Sequence, residues 1–201
     1  VLFEDFPEFF PFFYTKIRKY MFKKSARKAD KIFTISKYSK ERIVKNYSIP
    51  PKKIILTYCA VSSQFSKFKF TKRDSRKIIF DKFGVKNYIL NVSRIEERKQ
   101  QDSLLKLYCS NKVYNKKLNL VFIGNATLKS KFNQLFKYHK KGSLFKNIFW
   151  FENIIIQDLI HFYNAAEFFI FPSKAEGFGM PPLEASCLNT PVLCAKNTAM
   201  K

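Results

Sequence analysis

The sequence has few of the residues that build metal sites and disulfide frameworks. It holds two histidines, His139 and His161, and four cysteines that are far apart and show no CxxC spacing. This pattern excludes a spaced zinc-type site and predicts reduced thiols, as in a cytosolic protein. We find no signal peptide, and the apolar run FPEFFPFFY is too short and too broken by proline to span a membrane. We therefore expect a cytoplasmic protein without a structural metal.

Acidic residues are also scarce, with 15 against 38 basic residues and a net charge of +23. Such a balance normally indicates nucleic acid or an anionic membrane surface as the partner. However, 7 of the basic residues are arginine, the residue suited to bidentate phosphate and base contacts, and the lysines are spread along most of the chain. The abundant lysine, asparagine, isoleucine, phenylalanine and tyrosine share A/T-rich codons, so part of the charge reflects codon bias. We expect an anionic substrate or surface rather than specific nucleic-acid binding.

Short β-branched or aromatic runs alternate with helical patterns from residue 31 onward. Predicted strands are residues 31–36, 53–58, 88–93, 118–124, 147–151, 168–173 and 191–195, and predicted helices are residues 37–47, 101–109, 128–139, 157–166 and a segment after Pro182. Ser36 is the expected N-cap of the first of these helices. Because most of the strands read as continuous apolar runs, we expect a parallel sheet covered on both faces, which is a doubly wound α/β fold.

The chain divides into three predicted parts. Residues 1–61 form the end of one α/β domain, residues 62–85 form a polar linker with no clean period, and residues 86–201 form the doubly wound domain. The sequence starts at a valine and stops within an unfinished pattern, so we expect a piece of a longer protein.

Two loops follow predicted strands, where doubly wound sheets bind their ligands. VSRIEERK carries Arg94 and Lys99, and SKAEGFGMPPLEAS carries Glu176 and Glu184. The glycines indicate a sharp turn or a close backbone approach, and the paired prolines allow a helix just after them. Glu176 is therefore expected in a loop and Glu184 in the first turn of a helix, beside free backbone N–H groups.

These residue types predict the chemistry of the ligand. Arginine and lysine suit phosphate oxygens, and N–H groups at a helix start favour an anion. Carboxylates repel phosphate but accept hydrogen bonds from hydroxyl groups. A ligand with a central diphosphate and polyols at both ends satisfies all of these groups, which describes a nucleotide sugar.

The same segments resemble retaining glycosyltransferases of the GT-B fold, family four, also called glycosyl transferases group 1. AEGFGMPPLEA resembles the E-x7-E element of that family, and VSRIEERK resembles its G-R-x4-K diphosphate loop. Residues 29–61 resemble the end of its N-terminal domain, and residues 158–173 resemble the helix and strand before the glutamate loop. The resemblance implies an α/β fold of GT-B type, with a doubly wound, parallel, Rossmann-like C-terminal domain truncated at its end. Residues 1–61 would then be the last part of a second Rossmann-like, acceptor-side domain.

The resemblance also implies roles for individual residues. Arg94 and Lys99 would bind the donor diphosphate and stabilise the leaving group, Glu176 would bind the transferred sugar, and Glu184 would bind the ribose hydroxyls. The implied catalytic residues are Arg94, Lys99 and Glu176, and the implied donor-binding residues are Ser93, Arg94, Lys99, Glu176, Gly177, Phe178, Gly179, Met180 and Glu184. The family uses no metal or other cofactor, and this sequence has no DxD motif. The implied partners are a nucleotide-sugar donor and a saccharide or lipid-linked acceptor.

Three departures from the family pattern are visible. Ser93 stands where the family has glycine before the arginine, Asn189 replaces the glycine of Gly-Thr-Pro-Val, and Glu4-Asp5 replaces a His-Asp pair. Asparagine tolerates left-handed backbone, so the second change is mild. The third leaves no acceptor-side histidine, and the first half of the N-terminal domain is absent.

Other functions fit part of the sequence. One is a non-catalytic nucleotide-sugar-binding remnant, another is a basic membrane-surface or nucleic-acid binder with a Rossmann-like core, and a third is a GT-B nucleotide-sugar epimerase. Residues 12–30 mix aromatic and basic residues at helical spacing. They fit either a helix on the anionic inner face of a membrane or a domain helix with its apolar face buried.

Overall fold

A computed structural model describes residues 2–110, 118–126, 136 and 146–201. The helices are α1 (Leu2–Asp5), α2 (Phe12–Lys28), α3 (Lys37–Tyr47), α4 (Ser63–Ser66), α5 (Lys72–Phe83), α6 (Gln101–Ser110), α7 (Ile156–Ala165) and α8 (Met180–Cys187). The strands are β1 (Ile32–Thr34), β2 (Ile54–Leu56), β3 (Tyr88–Val92), β4 (Asn119–Ile123), β5 (Ile148–Phe151), β6 (Phe168–Phe171) and β7 (Val192–Cys194). Short 3-10 helices lie at Pro7–Phe9, Pro51–Lys53, Glu97–Lys99 and Thr198–Met200. None of the described helices is long and apolar enough to cross a membrane.

The chain forms two compact units. The first consists of Val1–Ala60, Lys174–Gly179 and Lys196–Lys201, and the second of Val61–Ser173 and Met180–Ala195. In the first unit β1 pairs in parallel with β2, and α3 connects them. The Ser36 hydroxyl accepts a hydrogen bond from the Ser39 N–H at 3.1 Å, so the predicted N-cap is confirmed.

The second unit contains a five-stranded parallel sheet with the order β5-β4-β3-β6-β7. The chain runs from the central strand β3 out to β5, then returns to the other side of β3 for β6 and β7. This reversal makes the sheet doubly wound, as the apolar strand pattern predicts. Leu90, Leu105, Leu120 and Phe122 are fully buried in its core. The predicted helix at residues 128–139 lies, except for Phe136, outside the described residues.

Residues 62–85 differ from the linker expected there. They contain α4 and α5, they belong to the second unit, and α5 packs against α7. A capping box starts α5, because the Thr71 hydroxyl accepts from the Asp74 N–H at 3.1 Å while the Asp74 carboxylate accepts from the Thr71 N–H at 3.2 Å. The apolar periodicity of a helix is weak in this part of the sequence. Of the two buried residues of α5, Ile79 is apolar but Ser75 is polar.

Candidate functional site

The strands β3 and β6 separate at the point where the sheet order reverses. Their pairing covers Ile89 with Phe168 and Leu90 with Phe169, and stops two residues before each strand ends. Beyond that point the buried Asn91 side chain donates from Nδ2 to the Ile170 carbonyl at 2.8 Å. Open α/β sheets bind ligands at such a point, outside the carboxyl ends of the strands.

The loop after β3 has a tightly fixed backbone. The Ser93 N–H donates to the Ile123 carbonyl at 3.0 Å, and the Ile95 N–H donates to the Asn125 carbonyl at 3.0 Å. Gln101 Nε2 donates to both Ser93 Oγ and the Arg94 carbonyl, each at 2.7 Å. Gln101 is buried at the start of α6, and sequence reasoning missed it. The available signal was a glutamine opening a helix directly after a cationic loop, because a buried amide there must bond to nearby backbone.

Gly124 is a second residue that sequence reasoning missed. Its φ is +145°, and a Cβ built on it would lie 2.0 Å from the Ser93 carbonyl oxygen. Any side chain here would therefore push the backbone of the β3 loop away. The Ser93 side chain accepts a hydrogen bond from Gln101 Nε2. A glycine closing a buried strand was the signal that could have revealed the close approach.

The two predicted cations both lie in this loop. Arg94 is exposed, directly after Ser93, and Lys99 is partly exposed at the end of the loop. The Lys99 ammonium lies 5.1 Å from the centroid of the Phe171 ring, at the last residue of β6. Ser173, just beyond β6, donates from Oγ to the Arg98 carbonyl at 3.4 Å. The predicted residues Ser93, Arg94 and Lys99 are thus brought to the switch point between β3 and β6.

Glu184 is held by a buried tyrosine of the same unit. The Tyr163 hydroxyl donates to Glu184 Oε2 at 2.8 Å, and the Tyr163 carbonyl accepts from Thr190 Oγ1 at 2.7 Å. Burial raises the pKa of the Glu184 carboxyl, and the hydrogen bond from Tyr163 lowers it in part. Burial likewise holds the pKa of Tyr163 well above its usual value, so this tyrosine stays a donor. No signal in the sequence predicted the hydrogen bond between Tyr163 and Glu184.

The helix that carries Glu184 begins earlier than expected. Its first residue is Met180, so Pro181 and Pro182 lie in the first turn and Glu184 follows in the second. Proline is compatible with a first turn because N–H groups there have no partner within the helix. The two prolines also remove two of the four free N–H groups of a helix start. The expected anion attraction at this end of the helix is therefore reduced.

The loop that carries Glu176 belongs to the first unit. The Glu176 N–H donates to Thr198 Oγ1 at 2.9 Å, and the residue is buried. Gly179 has a φ of +95°, and a Cβ there would lie 3.1 Å from Met200 Cγ, so the expected special backbone is present. At Gly177 a Cβ would make only ordinary contact. By unit, the predicted site residues fall into two sets: Glu176, Gly177, Phe178 and Gly179 in the first unit, and Ser93, Arg94, Lys99, Met180 and Glu184 in the second.

An apolar cleft of about 200 Å³ in the second unit contains none of these residues. It is lined by Ile89, Leu104, Leu107, Tyr108, Phe168, Ile170 and Leu193. Because its lining has no charged side chain, it does not suit a diphosphate, and we place the candidate site at the switch point.

Comparison with known proteins identifies relatives of this chain. The family model described as "Glycosyl transferases group 1" matches residues 72–201. The serotype-specific mannosyltransferase WbdA of Escherichia coli is 24% identical over 181 residues, which are 89% of this chain and 21% of that protein. The O-antigen chain mannosyltransferase B of Escherichia coli is 25% identical over 198 residues, covering 96% of this chain and 50% of that protein.

A solved structure has the same fold. The crystal structure of HepE from Anabaena in complex with UDP and glucose matches with a TM-score of 0.77 at 17% identity, over 96% of this chain and 51% of that chain. At 17% identity, the match shows that the two proteins share a fold. The present chain spans from about a fifth to a half of the length of these relatives.

Proposed function

Because this chain belongs to the group 1 glycosyl transferases and has their GT-B type α/β fold, we propose that it is part of a sugar-transferring enzyme. The donor is a nucleoside-diphosphate sugar, the acceptor is a saccharide or lipid-linked saccharide, and the anomeric configuration is retained. The observation that carries the proposal is the pair of cations, Arg94 and Lys99, on a rigidly bonded loop at the switch point of the sheet.

The role of the two cations follows from the charge that develops during transfer. When the bond between the anomeric carbon and the phosphate oxygen breaks, its electron pair leaves with the diphosphate. The Arg94 guanidinium and the Lys99 ammonium stabilise that charge. The acceptor oxygen forms the new bond to the anomeric carbon, and its proton passes to the departing diphosphate oxygen. Gln101 fixes the backbone that carries Arg94, and the Phe171 ring lies beside the Lys99 ammonium, so less reorganisation is needed during the reaction. We propose that these side chains stabilise the leaving diphosphate without a metal ion, so that activity persists when a chelator is added.

The carboxylates bind the sugars of the donor in this proposal. Glu184 has one oxygen bonded to Tyr163, and a carboxylate has further acceptor capacity for ribose hydroxyls. Glu176 binds the transferred sugar, and Gly177, Phe178, Gly179 and Met180 contribute to donor binding. For Glu176 the support is its spacing of eight residues from Glu184. The O-antigen mannosyltransferase relative suggests a cell-envelope saccharide as the acceptor class.

Saturation-transfer NMR of the purified chain against UDP- and GDP-sugars tests the proposal. We expect one nucleotide series to bind, and Lys99→Ala to weaken binding by about 10- to 100-fold, because a hydrogen bond to a charged group is worth about 1.5–3 kcal/mol. Lys77→Ala removes an exposed lysine of α5 in the same unit and serves as the matched control. If Lys99→Ala and the parent bound the nucleotide sugar with equal affinity, the proposed role of Lys99 in donor binding would be wrong. Donor binding without transfer to any acceptor would instead favour a non-catalytic binding protein.

A further inference from the structure

The Ser93 side chain lies at the switch point of the sheet, between the end of β3 and Arg94. Its backbone is fixed on two sides. The Ser93 N–H donates to the Ile123 carbonyl at 3.0 Å, and the backbone of Gly124 lies against the Ser93 carbonyl. The residue itself is partly exposed. Its hydroxyl is therefore attached at a defined point of the loop that carries both cations of the candidate site.

The direction of the hydrogen bond between Ser93 and Gln101 follows from a third group. Gln101 Nε2 lies 2.7 Å from Ser93 Oγ and 2.7 Å from the Arg94 carbonyl oxygen. Because a carbonyl oxygen can only accept, the amide atom that it contacts must be the nitrogen, and this nitrogen also donates to Ser93 Oγ. Gln101 is only 1% exposed, so these bonds hold its amide in place of water. The Ser93 hydroxyl thus accepts from Gln101 and keeps its own proton for another acceptor.

Neighbouring oxygen atoms of the same chain do not take this proton. Asn91 Oδ1, two residues earlier on β3, is buried and has no hydrogen-bond partner among the described residues. Glu96, the first carboxylate after Ser93 in the sequence, is paired with Arg98. A bound ligand can supply the acceptor instead, and a phosphate oxygen is a strong acceptor that the two cations of this loop would attract.

We propose that the Ser93 hydroxyl donates to a non-bridging oxygen of the donor diphosphate, and that Gln101 is the positioning residue that leaves the hydroxyl proton free for this bond. The inference rests on the proposed function and adds to it a neutral ligand beside Arg94 and Lys99. A hydroxyl group orients the phosphate without changing the charge of the site. Ser93 contacts the substrate in this arrangement, whereas Gln101 acts through Ser93.

NMR titrations with UDP and GDP test the role of the hydroxyl. We would compare the full 201-residue chain with Ser93→Ala and Ser93→Gly, which both remove the hydroxyl. We expect each variant to bind the preferred nucleoside diphosphate about 10-fold more weakly, the effect of losing a hydrogen bond to a charged group. Ser110→Ala is the matched control, because this exposed serine of α6 donates to the Leu107 carbonyl at 2.9 Å, and it should bind like the parent.

The salt dependence of binding separates a lost hydroxyl from a displaced loop. Arg94 and Lys99 attract the diphosphate through their charge, which salt screens. In Ser93→Ala both cations stay in place, so the affinity should fall with added salt as steeply as in the parent. Lys99→Ala should show a shallower dependence. If Ser93→Ala lost affinity and salt dependence together, the serine would act by holding the cations, and the inference would be wrong.

A double-mutant cycle tests the positioning role of Gln101. Gln101→Met removes the amide and keeps a side chain of similar length. We expect it to weaken nucleoside diphosphate binding about fivefold, because the Ser93 hydroxyl loses the bond that orients it. In the Ser93→Ala background this hydroxyl is absent, so the same change should cost clearly less affinity. Urea titrations of all four proteins would show that each is folded under the conditions of the binding measurement.

The outcomes distinguish the inference from the proposed function. If Lys99→Ala bound weakly but Ser93→Ala and Ser93→Gly bound like the parent, the donor site would stand and the inference would be overturned. Independent effects of the two substitutions in the cycle would overturn the role of Gln101. An absence of UDP and GDP binding in the parent would overturn the proposed function and the inference with it.

Discussion

Tyr163 and Glu184 are joined by a hydrogen bond of 2.8 Å, in which a fully buried phenol donates to a half-buried carboxylate. The phenol lies on α7 and the carboxylate on α8. The bond therefore joins the helix that precedes β6 in the sequence to the helix that follows it. A carboxylate held in this way has a defined position before any ligand arrives. Tyr163 therefore acts as a positioning residue for Glu184 if Glu184 binds the nucleotide.

The first prediction concerns Tyr163→Phe. We expect this variant to weaken nucleotide binding about fivefold, because Glu184 loses the bond that fixes it, worth about 1 kcal/mol. Tyr88→Phe is a matched control, since the Tyr88 hydroxyl is also buried and donates to the Phe162 carbonyl at 2.8 Å. Both variants should lose similar stability in urea. An NMR titration with UDP or GDP that shows the same loss of affinity in both would argue against a positioning role.

The second prediction concerns the charge of Glu184. Burial raises the pKa of this carboxyl in the folded state, so ionisation disfavours the folded protein. The stabilising contribution is therefore present below the unfolded-state pKa and is lost as the pH rises through the folded-state pKa. Glu184→Gln keeps an acceptor for Tyr163 without a charge to desolvate, and we expect its Tm at pH 7 to exceed that of the parent by about 2 °C. The gain should disappear in acid, and a gain that persists there would exclude this cause.

The third prediction concerns His161, a buried residue of α7. Its ring packs edge-to-face against both Phe68 and Phe70, and its Nδ1 is 2.9 Å from Ser75 Oγ, which in turn accepts from Asn164 Nδ2 at 2.9 Å. When the ring is neutral, the Ser75 hydroxyl can donate to Nδ1 while it accepts from Asn164. Burial lowers the pKa of His161, while Asp158 raises it in part and Lys82 lowers it.

Because the folded-state pKa of His161 is depressed, its contribution to stability is present above the unfolded-state pKa of about 6.5 and is lost as the pH falls below it. We expect the free energy of unfolding of the parent, from urea titrations, to decrease between pH 7 and pH 5. His161→Gln should show a smaller decrease over the same range. An identical slope in the two proteins would place the pH dependence on other groups.

Local rules predicted the elements well because strand and helix signals are carried by neighbouring residues. The seven strands lie within the predicted ranges, and Ser36 caps its helix as expected. The parallel, doubly wound arrangement of the sheet also followed from the apolar character of its strands, whereas the strand order came from the structure. The exception was α5, whose inward face includes the polar Ser75. Its role became visible only with His161 and Asn164, which lie far away in sequence.

The candidate site could likewise be predicted only as far as local sequence signals reach. Arg94, Lys99 and Glu184 could be proposed as site residues, since each follows a strand end or a turn signal. Their supports could not be identified, because Tyr163 is 21 residues from Glu184 and the contact between Gly124 and Ser93 joins different strands. Residues that fix a functional group are chosen by three-dimensional proximity, which no local period encodes.

The fourth prediction concerns Gly124, whose backbone lies against that of the loop after β3, which carries Arg94 and Lys99. In Gly124→Ala the new Cβ would meet the Ser93 carbonyl oxygen at 2.0 Å and the Arg94 nitrogen at 3.3 Å, and neither can move without displacing the loop. Gly84→Ala is the control, because Gly84 also has a positive φ, +68°, but nothing lies within 4 Å of its Cβ position. It should show backbone strain alone, about 1 kcal/mol.

We expect Gly124→Ala to lose about 3 kcal/mol or more of unfolding free energy in urea, by overpacking against backbone. It should also lose donor binding in conditions where it remains folded, because the displaced loop carries Arg94. If Gly124→Ala and Gly84→Ala were equally stable and bound the donor equally, the β3 loop would have to be freer than its hydrogen bonds to Ile123, Asn125 and Gln101 imply. Loss of binding in Gly124→Ala with binding intact in Gly84→Ala would instead tie donor recognition to the geometry of this loop.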